Sequence, residues 1–115
     1  MSVHFDFDKA AIRANDAMIV DRNARWLQAN PPYHIVVEGY ADERGTKEYN
    51  MALAKRRAMA VRDQLIARGV EPASITIVSY GEARPECYAK MRNESCWSKN
   101  RRADLLVRRV PVQTP

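Results

Sequence analysis

The chain has 115 residues, a net charge of +5, 46% hydrophobic and 29% charged residues, the balance of one globular domain with its own core and not of a disordered or collagen-like chain. Two cysteines and two histidines, scattered along it, are too few for a standard all-protein zinc site, and no apolar run approaches the ~18–20 residues of a membrane span. The excess of positive charge suits an anionic neighbour such as nucleic acid, lipid headgroups or an acidic wall polymer, and equally an ordinary solvated basic surface.

The N-terminus has no signal-peptide hydrophobic region, so the chain reads as cytosolic or as an excised domain. Val3, Phe5 and Phe7 alternate with His4 and Asp6, which predicts a strand over 3–7 closed by Asp6 and Asp8. Ala17, Val20, Ala24 and Leu27 recur at helical spacing within 14–29, and Pro31 and Pro32 stop that helix. The run YHIVVE over 33–38 is apolar on both faces, as in a strand buried between layers, with Gly39 ending it and a loop from Gly39 to Gly45. Thr46 is a good N-cap, Glu48 suits the first turn and Gly69 a C-terminal cap, so 47–68 reads as a helix with the core stripe Ala54, Ala58, Val61 and Leu65. A strand over 74–80 ends at Gly81 and Pro85, a polar segment with both cysteines runs over 86–99, and 103–109 is the last strand before a short tail. The expected fold is a single α/β (α+β sandwich) domain, β/α/β/α/β-β, with a mixed four-stranded sheet and its helices packed on one face. Its core spans about 3–109, with no internal repeat.

Arg57 lies at the margin of the apolar stripe of its helix, where a guanidinium requires an oxygen acceptor. An internal salt bridge or a snorkelling side chain explains it as well as a ligand site does. Carboxylates gather at strand ends, Asp8 after the first and Asp42 and Glu43 after the second, so Asp8, Asp42 and Arg57 can share one cleft. A catalytic carboxylate pair is the weaker reading, because acidic loops are common in any domain. Asn100-Arg101-Arg102, taken alone, reads as a solvated charge run more than as an anion clamp. Tyr40 reads equally as a ligand-facing or a packing residue.

GYADERGTKEYN over 39–50 followed by LAKRRAMAV over 53–61, together with FDFDK (5–9), VSYGEARP (78–85) and NRRADL (100–105), resembles the signature of the OmpA-like peptidoglycan-binding domain family over about 3–108. The DERGTKEYN wording is nearer that family's lipoprotein branch than its porin or flagellar-stator branches. The resemblance implies non-covalent, non-catalytic binding of the peptidoglycan stem peptide, with Asp42 and Arg57 gripping the zwitterionic end of meso-diaminopimelate. It carries Asp8, Asn50 and Arg101 over as further contacts, with Tyr40 and Leu53 beside them, although the family often has His or Asn in place of Tyr40. It implies a periplasmic domain of a Gram-negative bacterium, monomeric, cut from an N-terminal lipid anchor in the outer membrane, without cofactor or metal, and with a TolB-like periplasmic partner. Docking of that partner with little wall binding is the alternative function; nucleic-acid binding and wall hydrolysis are the weaker ones.

Periplasmic location also implies that Cys87 and Cys96, which the common family pattern lacks, pair in a disulfide. That bridge is expected to stabilise the domain while leaving the Asp42 loop and the Arg57 helix unaffected.

Overall fold

The computed structural model describes residues 1–83 and 94–109. The elements are β1 (Ser2–His4), α1 (Ala14–Ala29), β2 (Tyr33–Tyr40), α2 (Lys47–Ala67), a 3-10 turn at Pro72–Ser74, β3 (Ile75–Gly81), α3 (Glu94–Asn100) and β4 (Arg102–Arg109). One four-stranded sheet runs in the order β1-β4-β2-β3; β2 and β3 are parallel, and β4 is antiparallel to both β1 and β2. The mixed sheet expected from the sequence is therefore the fold, with a third helix, α3, inside the segment expected to be loop.

Helix α2 is specified at both ends. Thr46 Oγ1 accepts a 3.1 Å hydrogen bond from the Tyr49 amide, and at the other end Gly69 adopts φ +98° while the amides of Gly69 and Val70 reach back to the carbonyls of Ile66 and Leu65. That double bond is the Schellman arrangement, which favours glycine at the left-handed position. Helix α1 has no side-chain cap at Arg13. Its first turn is tied instead to β1, since Asp16 accepts from the His4 amide at 3.0 Å.

Both long helices cover the same face of the sheet. Val3, Phe5, Val20, Ala24, Leu27, Ile35, Val37, Ala58, Val61, Leu65, Ala103 and Leu105 form one buried cluster. The run over 33–38, expected to be buried on both faces, is buried on one: Ile35 and Val37 are fully covered, whereas His34, Val36 and Glu38 are half-buried. Gly39 does not end β2 either. It lies under α2, and a Cβ there would stand 1.9 Å from the Ala54 carbonyl oxygen. Its missing side chain therefore lets the helix rest on the strand.

Strand β1 is shorter than expected. Phe5 still pairs, through its amide, with the Arg101 carbonyl at 2.9 Å, but the chain then turns at Asp6, whose carbonyl accepts from the Lys9 amide, with Asp8 at φ 56°. Phe7, expected on the core face, is 54% exposed as a result.

Candidate functional site

The carboxyl end of β2 leads into the turn that holds Asp42. Its Oδ1 accepts the amide of Arg44 at 3.0 Å, the two-residue reach of an Asx turn. The first turns of α2 face that loop, and the turn after β1 faces both. Together they enclose a cleft of about 260 Å³ lined by Asp8, Asp42, Arg44, Asn50, Leu53 and Arg57, with Phe7, Gly45 and Tyr49 at its sides.

Arg57 is 0% exposed as a residue and yet forms part of this cleft. The oxygen acceptors it requires are three backbone carbonyls, and no carboxylate hydrogen-bonds it among the described residues. Nε donates to Lys9 O at 2.9 Å, Nη1 to Tyr40 O at 3.0 Å and Nη2 to Asp6 O at 3.3 Å. A guanidinium carries five N–H groups, so one on each Nη is left over. Burial pulls its pKa down to about 10, with the charge of Asp42 as the largest opposing influence. The carbonyls fix the plane of the group without neutralising its charge, which leaves a pre-oriented cation for an anionic ligand atom.

Asp42 has a side chain only 5% exposed. Besides the turn, its carboxylate receives Arg44 Nε at 3.2 Å and Nη2 at 2.8 Å, and Arg101 Nη1 at 3.5 Å. Burial alone would raise its pKa, but the hydrogen bonds and charge of Arg44, joined by Arg101, hold it below the usual aspartate value.

Arg101 overturns the reading of Asn100-Arg101-Arg102 as a solvated run: all three residues are 4–5% exposed. Arg101 Nε donates to Phe5 O at 2.8 Å, and its two terminal nitrogens meet Glu94 as well as Asp42. Partners from the residue after β1, the Asp42 turn and α3, none adjacent in sequence, are what make burial of this charge tolerable. Arg101 stands behind Asp42 and is not among the residues lining the cleft.

The other expected site residues divide in the same way. Asn50 is 1% exposed and lines the cleft, its Nδ2 donating to Glu82 at 3.2 Å. Leu53 forms part of its apolar wall. Asp8 is exposed at the rim and accepts a hydrogen bond from the Tyr49 hydroxyl. Tyr40 does not line the cleft: its ring stacks on Tyr80 at 5.4 Å, its hydroxyl meets Glu38, and Arg102 lies 3.8 Å above it. Only its carbonyl reaches the site, through Arg57.

Arg44, Glu94, Trp97 and Phe7 complete the arrangement and were not singled out from the sequence. The Arg44 guanidinium lies 3.8 Å from the Phe7 ring and 4.0 Å from the Trp97 ring. Trp97 Nε1 donates to Glu43 at 3.1 Å, and Glu94 is also within 3.8 Å of Arg44. Helix α3 thus braces the Asp42 turn, which corrects the expectation that the cysteine-bearing segment stands apart from it. Cys96, on that helix, is buried and disulfide-bonded; Cys87 lies outside the described residues. Among the described residues no group of three or more metal-ligating side chains occurs, and no helix is long and apolar enough to cross a membrane.

Comparison with known proteins gives one consistent answer. The OmpA family pattern matches residues 4–96. The peptidoglycan-associated lipoprotein of Rhizobium meliloti is 50% identical over 101 residues, 88% of this chain and 56% of that protein. That of Pasteurella multocida is 47% identical over 104 residues, 90% of this chain and 68% of that protein. The chain therefore spans little more than half the length of the Rhizobium relative. Among solved structures, the peptidoglycan-associated lipoprotein of Burkholderia pseudomallei superposes with a TM-score of 0.89 at 40% identity, covering 93% of this chain and 89% of that one. The C-terminal domain of Helicobacter pylori MotB gives 0.82 at 26% identity, covering 94% and 84%.

Proposed function

Since this chain belongs to the OmpA family, we propose that it binds peptidoglycan without cleaving it and fastens an outer membrane to the cell wall. The observation that carries this reading is a fully buried guanidinium, Arg57, facing the same cleft as the carboxylate of Asp42. A zwitterion needs a donor fork for its carboxylate and an acceptor for its ammonium at fixed separation, and these two residues supply them from a helix and a loop. The matching ligand is the side-chain terminus of meso-diaminopimelate in the stem peptide. Asp8, Asn50 and Leu53 contact the rest of the stem, Arg101 positions Asp42, and Tyr40 acts only through its carbonyl.

The charges support the same ligand. Arg44, Arg57 and Arg101 balance Asp8, Asp42 and Glu94, so the site as a whole is close to neutral and suits a zwitterion better than a polyanion. Hydrolysis would need a carboxyl whose pKa is raised to donate a proton, whereas that of Asp42 is lowered. Desolvating the ions offsets much of the attraction, so one stem binds moderately, and retention comes from many anchored copies facing a repeating polymer.

The relatives are named peptidoglycan-associated lipoproteins, which supports a periplasmic domain carried on an N-terminal lipid anchor; we take it to be a monomer within a Tol-Pal-like system. A second reading has its own observation. Phe7 and Tyr49, 54% and 44% exposed beside the cleft, offer apolar surface on which a TolB-like protein would dock and compete with the wall. Co-sedimentation with purified sacculi tests the main reading. The wild-type chain should pellet with them while Asp42→Ala and Arg57→Ala stay in solution; a variant that pellets like wild type shows that the clamp is misassigned.

A further inference from the structure

As it stands, Asp42 has no place for a ligand's ammonium. A carboxylate offers about four lone-pair directions, and four donors fill them: the Arg44 amide and Nε on Oδ1, Arg44 Nη2 and Arg101 Nη1 on Oδ2. Those four donors are not equally free to leave. The Arg44 amide belongs to the turn itself, and Arg101 is held by the Phe5 carbonyl and Glu94 with a side chain 5% exposed. The Arg44 guanidinium differs: its side chain is 29% exposed, it lies against the exposed ring of Phe7, and it lines the cleft shared with Arg57. Side-chain rotation alone withdraws it, freeing one direction on each oxygen.

We propose that the Arg44 guanidinium is an internal stand-in for the ligand's cation, occupying the ammonium half of the site until a bound ligand displaces it. This rests on the reading of Asp42 and Arg57 as a zwitterion clamp. The device has a consequence for selectivity. A lone amine must compete from free solution against a tethered, two-pronged guanidinium held against two aromatic rings. An amine whose neighbouring carboxylate already sits on Arg57 competes at high local concentration. Arg44 therefore raises the threshold for simple cations, a lysine side chain among them, more than for a zwitterionic terminus.

The test titrates a stem tripeptide ending in meso-diaminopimelate, and the same peptide with its side-chain amine acetylated, into the wild-type chain, Arg44→Gln and Arg44→Lys. Calorimetry should show the free peptide binding Arg44→Gln at least about threefold more tightly than wild type, the scale of one partly exposed ion pair. Arg44→Lys should fall between them, and the acetylated peptide should gain nothing from either change. Tryptophan emission should shift on binding in wild type, as Arg44 leaves Trp97, and should not shift in Arg44→Gln. Unchanged or weaker binding by an Arg44→Gln protein that melts normally overturns the proposal. The clamp itself survives that result if Asp42→Asn and Arg57→Gln still abolish binding, whereas a wild-type chain that binds neither peptide refutes both. Should Arg44→Gln not fold, Arg44→Lys decides by the same criterion.

Discussion

Replacing Arg57 by methionine separates what this arginine does for the fold from what it does for the ligand. The change keeps most of the side-chain volume and removes the donors to the carbonyls of Asp6, Lys9 and Tyr40. Three hydrogen bonds to a charged group contribute roughly 1.5–3 kcal/mol each before desolvation is counted, and carbonyls keep some access to other donors, so the gross loss is about 4–5 kcal/mol. Against it stands the cost of burying the charge. A guanidinium whose pKa burial pulls down to about 10 carries a penalty of roughly 3 kcal/mol, which methionine does not. The net destabilisation is about 1–2 kcal/mol, or a fall in melting temperature of roughly 4–10 °C for a domain of this size. Urea unfolding with an unchanged slope would measure it, and sacculus co-sedimentation well below the melting temperature should show binding lost. A destabilisation above ~4 kcal/mol would mean that the guanidinium is held for the fold; binding that survives in a folded Arg57→Met protein would mean that it does not touch the ligand.

Arg57→Lys should also lose sacculus binding, because a point charge cannot hold three carbonyls and still present a fork to a carboxylate. Calorimetry should show strong preference for diaminopimelate-type over lysine-type muropeptides; equal affinities would refute the zwitterion clamp. The lowered pKa of Asp42 means that its contribution to stability is present above its ordinary value of 3.8 and is lost as pH falls through the lower folded value. The stability gap between wild type and Asp42→Asn should therefore shrink below about pH 4, and a gap that stays constant down to pH 2 would contradict this. Thiol counting on unreduced, denatured protein should find no free thiol if Cys87 and Cys96 pair, with a stabilisation of roughly 2.5–3 kcal/mol from closing so short a loop. Because α3 braces the Asp42 turn through Glu94 and Trp97, reduction should also weaken muropeptide binding, and intact binding after reduction would separate the bridge from the site.

The parts of this molecule legible in the sequence are those that obey a local period or cap. The stripe of α2, its Thr46 and Gly69 ends and the misfit of Arg57 within that stripe all follow from spacing within about twenty residues. What was illegible depends on distant partners. Gly39 looks like a strand terminator until α2 is laid over it, and Arg101 looks solvated until Phe5, Asp42 and Glu94 converge on it. Arg44 had a local clue, its place two residues after an aspartate in a turn. Its aromatic neighbours, Phe7 and Trp97, come from opposite ends of the chain and leave no periodic trace.

That same dispersal makes the site a late product of folding. The bonds that assemble it join Arg57 to Asp6 and Lys9, Asp42 to Arg101, and Phe5 to Arg101, across separations of 51, 48, 59 and 96 residues. Contacts of that range incur loop-closure entropy before they stabilise anything. A chain with helices formed but β1 unpaired thus has α2 in place and no oriented Arg57. Ligand affinity in this domain therefore reports completion of the sheet, and a single nick or truncation near Phe5 should silence binding while much of the helical signal remains.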